Sequence, residues 1–314
     1  MTTTVTLEGE GATGRGEDVT YEAAAHDPFP IDVLPDPATT LGELSRSLES
    51  VDLFPDREPA QAIFRNFRRW AIESAALDLA LRQAGTTLGE LIEREYDPVE
   101  FVVSTRLGEP PTGAIVTEWL ERDPTLSFKL DPTSEWTPET IARLAETGAV
   151  RTLDLKGAYS GTDVDQPPDP TLYRRVLEGF PDAIVEDPAV TEETRPLLEA
   201  HTDRISWDYP ITGLSALESL PWEPTWINVK PSRFGSVRSL FETLGYCLEN
   251  DIRLYGGGQF ELDVGRDHIQ GLASLFYPDA PNDVAPGGYN DPSPPETLAG
   301  SPLDPGDPVG LSVR

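Results

Sequence analysis

Lysine is nearly missing from this chain. Of its 24 basic residues only three are lysine, against 55 acidic ones. It also has a single cysteine, Cys247, which excludes an intramolecular disulfide framework and a cysteine-based metal site. Cys247 falls in FETLGYCLEN, an apolar helical stretch, and reads as a packed core residue. No run of 18 apolar residues occurs, so no helix is expected to span a membrane. The opening MTTTVTLEGE has neither a basic start nor an apolar core, so no signal peptide is expected there. No Gly-rich fingerprint follows the early strand-like runs, which disfavours a dinucleotide site. No basic face exists for a phosphate backbone, so nucleic acid is not an expected partner.

What is present is acid. The net charge is −31 and the acidic residues are spread from end to end. A surface built for one basic partner would concentrate that charge. The simpler cause is adaptation to a very salty cytoplasm, where screening removes the self-repulsion. A halophilic, cytoplasmic protein is expected.

The three lysines are not scattered. Lys129, Lys156 and Lys230 each end an apolar run: TLSFKLD, VRTLDLKG and WINVKPS. A desolvated amine is a tunable base, and arginine cannot replace it in that role. Lysine stripped elsewhere and kept at three strand ends points to chemistry there.

Residues 1–23 alternate, and predict two strands around a Gly-rich turn at GATGRG. A short helix is expected at about 40–50. Phe64, Phe67, Trp70, Ala71, Ser74, Leu77 and Leu81 recur at spacings of three and four, followed by Gly85 as a C-cap, which predicts a helix. TTLGELIERE reads as a second, short one. From residue 98 the rhythm changes. Apolar runs at 99–105, 125–130, 150–156, 182–187, 204–208, 225–230 and 252–257 alternate with amphipathic stretches. Repeated strand-helix units imply a parallel sheet, and seven of them favour a TIM-like barrel over an open sheet. The Pro-, Gly- and Asp-rich tail from 286 reads as a wrapped or loose extension.

In such a barrel the site forms at the C-terminal strand ends. Those ends carry Lys129 and Asp131, Asp154 and Lys156, Glu186, Asp208, Lys230, then Gly256 to Gly258. Three successive strands thus end in Asp154, Glu186 and Asp208. Adjacent strands lie about 4.8 Å apart, so the three carboxylates can converge. Convergent carboxylates repel unless a hard divalent cation neutralises them, and an oxygen-only shell suits Mg²⁺. A metal holding a substrate carboxylate acidifies the adjacent carbon. A nearby lysine can take that proton, and the enediolate is stabilised electrostatically.

These residues resemble the enolase superfamily, in its muconate-lactonizing and o-succinylbenzoate-synthase-like branch. The resemblance covers residues 5–285. RRWAIESAALDLALRQAGTTLGELI is similar to the helix leading into that family's barrel, VEDP to its E-x-P motif, VKPSRFGS to its sixth-strand lysine motif, and YGGGQFELDVGR, with Glu261, to the segment closing the pocket. It implies an α/β fold: a (β/α)7β TIM-like barrel over 98–285, a small N-terminally shortened α+β capping domain with linker helix over 1–97, and the extension over 286–314. It implies Asp154, Glu186 and Asp208 as metal ligands, Lys230 as acid/base or enolate stabiliser, and Lys129 as support for a small carboxylate substrate. Two positions depart from the pattern. Asp131 stands where the branch carries a second strand-two lysine, and Lys156 stands where it carries an asparagine. Either the second acid/base has moved to Lys156, or Lys156 and Asp131 form an ion pair in an altered site. The start also departs: either the lid over the pocket is reduced or the true start lies upstream. The implied activity is a lyase or isomerase: β-elimination, cycloisomerisation or epimerisation. The alternative is an impaired barrel serving as a binding or structural protein. A His–Asp dehydratase is disfavoured, because His26, His201 and His268 fall at no predicted barrel strand end. Self-association into a homo-oligomer stays open.

Overall fold

In this computed structural model residues 1–27, 29–34, 40–159, 164–291, 295 and 297–313 are described. The chain starts with an antiparallel hairpin, β1 (Thr3–Gly9) and β2 (Ala12–Asp18), followed by helices α1 (Leu41–Leu48), α2 (Phe64–Ala84) and α3 (Leu88–Leu91). The hairpin turn lies at Glu10 and Gly11, both at positive φ, so only the first glycine of GATGRG is in it. Gly14 and Gly16 of that stretch are strand residues instead. A Cβ on Gly14 would lie 2.2 Å from the Ala75 carbonyl oxygen, and one on Gly16 would lie 2.0 Å from that of Ala71. Glycine is there because β2 packs backbone to backbone on α2.

α2 forms as its periodicity predicts: the seven residues at spacings of three and four are buried, and Gly85 ends it at φ 64°. Its one long buried cation, Arg68, donates to Asp18 Oδ2 at 2.9 Å and to the carbonyls of Leu53 and Ala25, with its guanidinium 3.9 Å from the Phe54 ring centroid. The N-terminal elements thus build their own apolar cluster, with Val5, Val19, Leu48, Phe54, Phe64 and Phe67.

From residue 103 come seven strand-helix units: β3 (Val103–Thr105) and α4 (Ala114–Arg122); β4 (Phe128–Leu130) and α5 (Pro138–Glu146); β5 (Val150–Asp154) and α6 (Pro170–Gly179); β6 (Ile184–Glu186) and α7 (Arg195–Glu199); β7 (Ile205–Trp207) and α8 (Leu214–Leu217); β8 (Trp226–Val229), α9 (Pro231–Phe234) and α10 (Val237–Glu249); β9 (Arg253–Gly256) and α11 (Val264–Phe276). All seven strands are parallel and ordered as in the sequence. Each lies within one of the apolar runs read from the sequence. Beyond α11, Asn282 pairs in parallel with Phe101 and Asp283 with Gly257, so one short segment touches both edges of the sheet. Cys247 is buried in α10, as expected of a core thiol.

The described part of the tail packs back on the molecule. Leu303 exchanges backbone bonds with Val99 at 2.7 and 2.9 Å, and Leu311 N–H donates to Asp78. No described helix is long and apolar enough to cross a membrane.

His268 lies inside α11, 1 % exposed, and neither ring nitrogen has a hydrogen-bond partner among the described residues. Burial pushes its pKa from 6.5 down to about 4. The folded state therefore holds the neutral ring. Its contribution is fully present above pH 6.5 and is lost as pH falls toward 4, because the unfolded chain takes up the proton first. At about 1.4 kcal/mol per pKa unit the loss is about 3 kcal/mol. Denaturant titrations at pH 7 and pH 4.5 in high salt are expected to show a larger drop for the natural chain than for His268→Leu. Equal drops would place the acid sensitivity elsewhere.

Candidate active site

Asp154 and Glu186 are paired neighbours at the ends of β5 and β6, and Glu186 pairs with Ser206 on β7, two residues before Asp208. The parallel register therefore sets all three carboxylates side by side. Their ligand oxygens lie within 4.8 Å of one another, and all three residues are fully buried.

The lysines reach in among them. Lys129 on β4 donates to Glu186 Oε1 at 2.5 Å and lies 3.3 Å from Asp154 Oδ2 and 3.5 Å from Asp283. Lys230, at the end of β8, donates to Asp208 Oδ2 at 2.8 Å. Lys156 donates both its ammonium and its backbone N–H to Asp154, while Asp131 lies 3.8 Å from the amine. The ion pair with Asp131 is thus the longer of its two. The reason is local: Lys156 sits past the strand at φ 54°, which folds its side chain back onto Asp154. Asp131 is shared with Arg106 at 3.2 Å.

Several partners were not singled out in the sequence. Arg233 donates to Asp208 Oδ1 at 2.7 Å, and the Tyr159 hydroxyl donates to Oδ2 at 2.7 Å. Tyr255 donates to Glu186 Oε2, and Asn228 donates to the same oxygen at 3.3 Å. Asp187 accepts the backbone N–H groups of Asp208 and Tyr209 at 2.8 and 2.7 Å and so holds the Asp208 strand end. The strand period could have found Asn228, which shares a face with Lys230. For Arg233, three residues past Lys230, and for Tyr159 the sequence has no such signal, because both lie beyond the strands. Glu261 is buried with its carboxylate taken by the Gln259 N–H at 2.7 Å. His26 is held by Thr3 and Thr20, away from the strand ends.

The charges are strongly coupled. Burial alone would raise Asp154, but Lys156 and Lys129 outweigh it and hold the carboxyl well below its usual range. Arg233 and Lys230 outweigh burial at Asp208 in the same way. Glu186 goes the other way: burial, with Asp154 and Asp208 beside it, pushes it well up in spite of Lys129. Burial also pushes Asp187 up to about 7, with Asp208 adding to the effect. Burial works to lower the Lys156 amine, yet Asp154 wins and raises it, so Lys156 is held as an ammonium. Three converging buried carboxylates are hard oxygen donors that fit a divalent cation such as Mg²⁺. The Lys129 ammonium shows that positive charge is accommodated between two of them.

The chain resembles solved structures over nearly its whole length. Muconate cycloisomerase from Pseudomonas fluorescens superposes with a TM-score of 0.71 at 18% identity, covering 99% of this chain and 90% of that one. A dipeptide epimerase from Methylococcus capsulatus, described as complexed with Mg ion, gives 0.67 at 23%, covering 91% and 88%. An enolase-superfamily protein from Listeria innocua gives 0.63 at 19%, covering 90% and 77%. No curated protein matches. Residues 1–91 and 95–291 match the N-terminal and C-terminal domains of a family described as a domain of unknown function, DUF8230. The chain belongs to the DUF8230 family, and its fold is that of the enolase superfamily.

Proposed function

We propose that this protein is a Mg²⁺-dependent enzyme that removes the α-proton of a small carboxylate substrate, at the mouth of a closed (β/α)7β barrel. The observation that carries this reading is the meeting of Asp154, Glu186 and Asp208 within 4.8 Å, with three lysine amines in contact with them. The three carboxylates would hold the cation. When bound, it supplies Lewis acidity to the substrate carboxylate. Lys129, buried between Glu186 and Asp154, adds fixed positive charge to the same end of the substrate. Lys230, buried beside Asp208, is the candidate base, and its amine takes the α-proton once it has given up its own. Lys156, held as an ammonium by Asp154, is suited to return a proton from the opposite side. The enolase-fold neighbours, an epimerase and a cycloisomerase by description, support the class.

The test is proton exchange. The Mg²⁺-loaded protein is incubated in heavy water at high salt with a set of carboxylic acids, and deuterium at the α-carbon is read by mass spectrometry. Incorporation that requires Mg²⁺ supports the proposal. Mg²⁺ and acid binding without incorporation would favour a binding protein, a reading motivated by Asp131 at the position of the missing lysine.

Lys156 can be tested separately. In the acid role only a compact amine serves, so Lys156→Arg is expected to lose about 10²-fold or more of the exchange while still binding Mg²⁺. If the residue only balances charge, arginine keeps full exchange. Asp131→Asn is then expected to lower the melting temperature instead.

A further inference from the structure

The loop between β9 and α11 is held in a strained shape from the N-terminal elements. Phe260 in it has a φ of 78°, a left-handed conformation that a bulky residue rarely adopts. Its ring is 75 % exposed, so burial does not offset the strain. Hydrogen bonds on both sides do. Gln259 N–H donates to Glu261 Oε2 at 2.7 Å. On the other side the buried Glu17 of β2 takes the backbone N–H groups of Leu262, Asp263 and Gly265 at 2.7 to 3.2 Å. Strain of this kind persists only where the surroundings over-determine it, and it clusters at functional segments.

What the loop delivers is Gln259, which is buried. Its carboxamide lies between the Tyr21 hydroxyl, just past β2, and the Arg233 guanidinium. Only with the amide oxygen toward Arg233 are both ends satisfied, because the other orientation sets donor against donor. That oxygen accepts from Arg233 Nε at 2.5 Å and from Nη2 at 2.9 Å, while the amide nitrogen donates to Tyr21. The remaining nitrogen of the fork, Nη1, donates to Asp208 Oδ1 at 2.7 Å. The N-terminal elements hold the backbone of the same arginine as well: Asn66 on α2 donates to the Arg233 carbonyl at 2.6 Å. One carboxylate of the candidate metal site is thus aimed by a guanidinium that Gln259 and α2 hold in place.

We infer that Gln259 is a positioning residue of the candidate metal site. Its amide oxygen fixes Arg233 and so the orientation of Asp208, and Glu17 keeps it there by clamping the loop. This rests on the reading of Asp154, Glu186 and Asp208 as a Mg²⁺ site. A carboxylate free to turn presents its ligand oxygen only part of the time. Partners one step behind a metal ligand typically carry about 10- to 100-fold of the affinity. Gln259 stands two steps behind, so the low end of that range, about tenfold, is expected.

Calorimetry with Mg²⁺ in high salt, with melting temperatures taken on the same preparations, tests this. Gln259→Leu removes the acceptor and is expected to lower Mg²⁺ affinity about tenfold. Gln259→Glu keeps an oxygen for Arg233, and the Tyr21 hydroxyl can turn to donate, so affinity should stay close to that of the natural chain. Glu17→Gln replaces an accepting oxygen by a donor. Amide hydrogen exchange over residues 262–265 should then speed up, and Mg²⁺ affinity should fall with it. Unchanged affinity in Gln259→Leu, with or without a lower melting temperature, overturns the inference and leaves the metal reading standing. Equal losses in Gln259→Leu and Gln259→Glu overturn it too, because the oxygen would then not be what matters. Faster amide exchange in Glu17→Gln at unchanged affinity overturns the part given to Glu17. A natural chain that binds no Mg²⁺ overturns the metal reading itself, and this inference with it.

Discussion

Lys230→Ala is expected to lower α-proton exchange by about 10²- to 10⁴-fold, the usual contribution of a positioned acid/base. The amine's place follows from the sequence. Lys230 immediately follows β8, and strand alternation puts it on the face of Asn228, which reaches Glu186. Pro231 then starts α9, so the side chain is delivered where the backbone turns away. The substitution should spare the fold. Asp208 keeps Arg233 on one oxygen and Tyr159 on the other, so no buried carboxylate is left unpaired. Thermal melting and isotope incorporation measured on the same preparation separate chemistry from folding. A folded variant that still exchanges would move the base to another residue.

Glu186→Gln is expected to weaken Mg²⁺ binding by roughly two orders of magnitude or more, above the 10- to 100-fold typical of residues one step removed from a metal. Glu186 is the middle of the three carboxylates and the one that burial and its neighbours push up, so it is the one most short of positive charge. The amide keeps the shape and removes the anion. It must also face a donor where the carboxylate accepted three, from Lys129, Tyr255 and Asn228. About 1–3 kcal/mol of stability should go with that mismatch. Calorimetry in high salt reads the affinity with the general attraction of a −31 chain screened. Unchanged affinity would remove Glu186 from the metal site.

The sequence by itself determined the order of the strand-helix units and the carboxylates at their ends. Buried parallel strands must be short β-branched runs, and they must alternate with helices that cover them. Ile184-Val185-Glu186 and Trp226-Ile227-Asn228-Val229 could hardly be anything else. Placing Asp154, Glu186 and Asp208 together needed only strand order and spacing. The hairpin was legible too, but its turn was read too far along, over Gly14 and Gly16, because glycine marks close backbone approach as readily as a turn, and only the packing on α2 separates the two. Tertiary structure alone decided which charges pair. Lys156 reaches Asp154 before Asp131 because its left-handed backbone turns it back, and periodicity cannot contain that reversal. Arg233 reaches Asp208 from the next strand-helix unit, and Glu17 pinning the β9–α11 loop and Tyr21 against Phe260 join residues from opposite ends of the chain. A hydrogen bond or ring contact is made or lost within a few ångströms, a precision that the fold supplies and local sequence does not.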